Sequence, residues 1–139
     1  MSQPTSITAD EIVAKLQAIC DVVGRVQING RPLGSAVRYE PAGKVGDPIE
    51  VIVAPPSFEY QGNCLGPSGM IVEVFVVAVA SDLTVHNLIA LERGVADALD
   101  LASNVDPSLD CTVISSAPGV WRRGATDLPA YVIVTAVSL

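Results

Sequence analysis

The chain has little from which to build a catalytic or metal centre. It holds one histidine, His86, and three cysteines, Cys20, Cys64 and Cys111. An odd number of widely spaced cysteines fits a reducing compartment better than a disulfide framework. It also lacks the close pairs of a zinc site, so no metal and no cofactor are expected. Charge is scarce too: 17% of the 139 residues are charged and half are apolar, against about 25% charged in an average soluble protein. So little polar material points either to obligate oligomerisation or to a large core in a monomer. Fifteen acids against eight bases give a net charge of −7. That argues against a protein that grips nucleic acid, which needs clustered Lys and Arg, but not against one that stands near DNA without sticking. Residues 1–6 have no basic-then-apolar leader pattern. The longest apolar run, around Val74, is far short of the ~20 residues a membrane-spanning helix needs. The expectation is a soluble protein that stays where it is made or leaves inside something larger. No segment repeats another, and residues 1–139 read most simply as one domain.

What is present centres on Met70–Leu101. Met70–Ala80 is rich in β-branched residues, which favour an extended, pleated backbone. At period two, Ile71, Phe75, Val77 and Val79 share one face with a single charge, Glu73. Met70, Val72, Val74, Val76, Ala78 and Ala80 share the other. Apolar residues on both faces predict a central strand covered above and below. Ser81, Asp82 and Thr84 then offer helix caps, and Leu88, Leu91, Val95, Leu99 and Ala102 recur at helical spacing.

A second helix start is written in Ile7–Ile12. Thr8 is its N-cap, Glu11 closes a capping box, and Ile7 and Ile12 form a hydrophobic staple. Ile12, Leu16, Ile19 and Val23 continue the apolar stripe, and Gly24 stands where a C-cap glycine belongs. The helix is expected over Ala9–Val23. Val26–Ile28 and Ala36–Tyr39 read as short strands, with Asn29-Gly30 as a tight turn. Ile49–Ala54 is a strand ended by Pro55-Pro56. Ser57–Gly69 is a long loop joining two antiparallel strands as an extended arm. Asn104–Ser108 reads as a linker, Cys111–Ser116 and Ala130–Leu139 as strands, and Ala117–Leu128 as a loop between them. This order predicts an α+β fold, a mostly antiparallel or mixed sheet with two main helices on one face.

Few residues stand out as chemistry. His86 is a general base without the partners of a triad, or else a surface or interface residue. Asp97 and Asp100 sit near a helix C-terminus, where the dipole disfavours acids. They meet a basic partner or lie on a solvated face. Gly94 costs about 1 kcal/mol in mid-helix relative to Ala, and either permits a close approach or is simply tolerated. Leu65–Gly69 is not a phosphate loop, because a strand rather than a helix follows it. Glu73 is a buried carboxylate or, better, one bridged to Arg or Lys of the same or a neighbouring subunit. Trp121-Arg122-Arg123, at an expected loop tip, combines residue types enriched at interaction hot spots. The plainer reading is a Trp folded over the core edge beside solvated arginines. Phe58 and Tyr60 on the arm are contact candidates for the same reason. No Ser/His/Asp, Cys/His or paired-carboxylate arrangement can be assembled, so an enzyme is not expected.

In size, element order and composition, over nearly its whole length, the chain resembles the tail terminator proteins of long-tailed, non-contractile bacteriophages. These are also described as tail-completion or head–tail joining proteins. The likeness is carried by the helix Thr8–Val23, by the strand Ile49–Ala54 with its long loop, and by the strand-to-helix unit Met70–Leu101. The closing strand pair, ending in Pro129–Ala136, completes it. The resemblance implies a structural virion protein assembled in the host cytoplasm, with no catalytic residues to carry over. It implies a ring, typically of six subunits, that caps the finished tail tube. One side would meet the tail tube protein and the other the head connector or its stopper, with DNA passing through the lumen unbound. Two alternatives stay open: a connector stopper or neck protein, and a small-molecule-binding α+β domain with its pocket under Ser57–Gly69.

Overall fold

The computed structural model describes residues 7–28, 31–33, 37–38, 49–60, 66–78, 85–123 and 125–139. The first helix, α1 (Ala9–Gly24), begins as its sequence dictates. Glu11 N–H donates to Thr8 Oγ1 at 3.2 Å and Thr8 N–H to Glu11 Oε1 at 3.3 Å, a complete capping box. Its end departs from expectation. Gly24 is still helical and the cap is Arg25 at φ −81°, a right-handed conformation any residue adopts. The left-handed C-cap glycine is therefore not used here. Arg25 and Val26 N–H instead bond back to the carbonyls of Val22 and Val23.

After α1, β1 (Gln27–Ile28) pairs antiparallel with β2 (Arg31–Pro32), so the strand following Asn29-Gly30 begins earlier than expected. The Asn29-Gly30 turn itself lies outside the described residues. β3 (Val37–Arg38) belongs to the main sheet, parallel to β4 (Ile49–Val53). Chain order there continues with β5 (Ser57–Glu59), β6 (Gly69–Ala78), the helices α2 (Val85–Asp100) and α3 (Ala102–Val105), and the hairpin β7 (Cys111–Arg123) and β8 (Thr126–Ser138). Spatial order is β3-β4-β6-β8-β7, with β5 beside β6 in line with β4. Every pairing but β3–β4 is antiparallel. The architecture is α+β, with the helices on one face of the sheet.

That face is a dry core. Met70, Val72, Val74 and Val76 of β6 have no exposed surface, nor do Val51 and Val53 of β4 or Ile133 of β8. Leu88, Leu91, Val95 and Leu99 of α2 and Leu16, Ile19 and Val23 of α1 close over them. Burying a side chain of this size contributes about 1.5–3 kcal/mol, so the helical stripes and strand pattern of the sequence account for the packing. Gly94 serves a close approach: a Cβ there would meet Val26 Cγ1 at 3.1 Å. Lys15 Nζ donates to the Ser108 carbonyl at 2.8 Å and ties α1 to the turn before β7. In that turn Asp106 Oδ1 accepts from Ser108 Oγ at 2.6 Å and Ser108 N–H at 3.0 Å, which holds its carboxyl below the usual range.

Four expectations need correction. β6 is central, pairing on both edges, but its second face is buried only at one end: Val77 is fully buried beside Ile52 and Ala130, whereas Ile71 and Phe75 are half-buried and Glu73 is exposed. Helices lie on one side only, and an apolar pattern cannot say from which side burial comes. The Ser57–Gly69 arm starts as a strand, since past Pro55-Pro56 the chain rejoins β6 at Ser57↔Ile71. Ser68 N–H then bonds to the Glu59 carbonyl at 2.8 Å, and residues 61–65 lie outside the description. Finally, Asn104 and Val105 belong to a short helix, and Ala117–Leu128 is not a loop throughout: it is strand over Ala117–Arg123 and again from Thr126.

Candidate functional site

The β7–β8 hairpin is long because both strands keep pairing through Pro118 and Gly119, from Cys111↔Val137 to Arg123↔Thr126. Proline fits because β7 is the outermost strand among the described residues, where a missing N–H breaks no ladder bond. The strand is otherwise poorly suited to accept another. A bulge falls between Val113 and Ser115. Beside it, the outward N–H of Val113 donates to Asp100 Oδ1 at 2.9 Å. That bond explains an acid at the C-terminal end of α2, which sequence reading set on a solvated face or against a partner. The partner is this chain's own backbone. Asp97 is exposed. The backbone of His86 lies in the first turn of α2, and its side chain is outside the description.

Beyond Ser115 the hairpin outruns the helices. Ser116, Pro118, Val120 and Arg122 are exposed, Val120 at 60%. Trp121-Arg122-Arg123 is thus the end of a paired strand and not a loop tip. Trp121 folds back onto the second sheet face and packs edge-on against Phe75, ring centroids 4.8 Å apart at 61°. With Ile52, Val77, Leu128 and Ala130 these rings form a small second cluster. Arg122 Nε bonds Asp127 Oδ1 at 3.0 Å across the hairpin, with both side chains largely exposed, a surface pair worth little in stability. The backbone of Arg123 pairs with Thr126 at the hairpin's end.

The rest of the second face is open. Ile71 and Phe75 of β6 and Val132, Val134 and Ala136 of β8 are half-buried, and Glu73 stands exposed among them opposite Val134. Among the described residues Glu73 has no hydrogen-bond or ion-pair partner, so the expected bridge is not made within them. Phe58 and Tyr60 flank the base of the arm at the other end of the sheet, Tyr60 being 65% exposed. The structure therefore brings Trp121 and Phe75 together and leaves Glu73, Arg122 and the Phe58–Tyr60 pair apart. Sequence reading missed Glu50, which is 2% exposed on the face it shares with Ile52. The alternation of β4 was the available signal.

Chemistry is sparse at this surface. Among the described residues no three His, Cys, Asp or Glu side chains gather as a metal site, and no helix is long and apolar enough to cross a membrane. Cys20 and Cys111 are buried, which pushes both thiols up to about 11, with Asp21 adding to the first and Asp110 to the second. With Cys64 replaced by serine, native protein at pH 7.5 is expected to react with a disulfide reagent roughly a hundredfold more slowly than an exposed cysteine. Denaturant should restore the full rate, and fast native labelling would contradict this burial. No protein-family model matches the chain, and no curated protein matches it.

Proposed function

We propose that this chain is a structural subunit of a bacteriophage virion, a tail terminator. Copies assemble head to tail into a ring, typically of six, at the finished end of the tail tube. One side of the ring stacks on the last ring of tube protein, the other docks to the head connector or its stopper, and DNA passes through the centre. The observation that supports this reading is the presence on one subunit of two unlike surfaces, an open apolar sheet face and a projecting hairpin. Unlike surfaces make heterologous contacts, which close into rings when the rotation permits. The net charge of −7 supports passage over capture, because acidic surfaces repel phosphates.

The experiment is addition of the purified chain to polymerising tail tube protein, followed by electron microscopy and native mass spectrometry. Expected are rings at one end of each tube and arrested elongation. Tubes that keep growing and carry no added subunit at their ends would overturn the proposal. So would a chain that never assembles but melts at a higher temperature with a small molecule, the behaviour of a ligand-binding domain.

A further inference from the structure

We draw no further inference here: the strongest candidate, the half-open second face of the sheet around Ile71, Glu73, Val132 and Val134, carries nothing because nothing in the structure shows what covers it.

Discussion

Ile133→Ala is expected to lower the free energy of unfolding by about 2–5 kcal/mol, while Val132→Ala beside it costs about 1 kcal/mol or less in dilute solution. The two residues are neighbours on β8 and point to opposite faces of the sheet. Ile133 is fully buried beneath the helices, so truncation leaves a cavity that the packed layer cannot fill. Val132 is half-buried on the open face, where solvent reaches it and the neighbours can relax. Stability of this class of protein is only about 5–15 kcal/mol, so the first substitution removes a large fraction of it and the second does not. Urea unfolding at low protein concentration measures both, and an unchanged denaturant slope would show that both act on stability alone. Equal losses at the two positions would mean that the second face is covered after all.

Thr135→Val should make the protein more stable by about 1–3 kcal/mol, a gain of several degrees in melting temperature. Thr135 has no exposed surface, and among the described residues its Oγ1 has no hydrogen-bond partner. Across the sheet it faces Val72 on one side and Val113 on the other. A hydroxyl taken from water into such surroundings without a partner costs about 1–3 kcal/mol. Valine has nearly the same shape and no group to leave unsatisfied. Thr135→Ser is the control: it keeps the hydroxyl, loses a buried methyl and should be destabilising. Calorimetry of the three proteins decides the matter. A valine variant no more stable than wild type would mean that the hydroxyl is hydrogen-bonded, through a buried water or otherwise.

Elements whose signals are local were legible from sequence. The start of α1 follows from Thr8 and Glu11, and the stripe from Leu88 to Leu99 lies on the buried side of α2. β6 is central because both its faces are largely apolar. What escaped was decided between distant residues. Ala117–Leu128 read as a loop, yet Pro118 on the outermost strand among the described residues disturbs nothing, and only pairing with Pro129 to Tyr131 reveals the strand. Asp100 looked misplaced until Val113, thirteen residues on, supplied its partner. That the second face of β6 is buried only at the Val77 end could not be read at all, because the residues that suit a buried face also suit a half-exposed one. Of the candidate contacts, Trp121 resolved to the plainer reading, folded onto Phe75. Glu73 proved exposed where burial or a bridge was expected.

The outer edge of β7 bears on how such a chain avoids fibres. A long hairpin with exposed Ile114 and Val120 would ordinarily template strand after strand from other molecules, the route by which β proteins precipitate. Here the Val113 amide is already occupied by Asp100, the bulge at Ile114 breaks the repeat, and Pro118 offers no donor. Three interruptions within six residues leave no stretch of ladder long enough to nucleate a cross-β stack. This edge is therefore a poor template for strand addition in a chain so apolar and so sparsely charged.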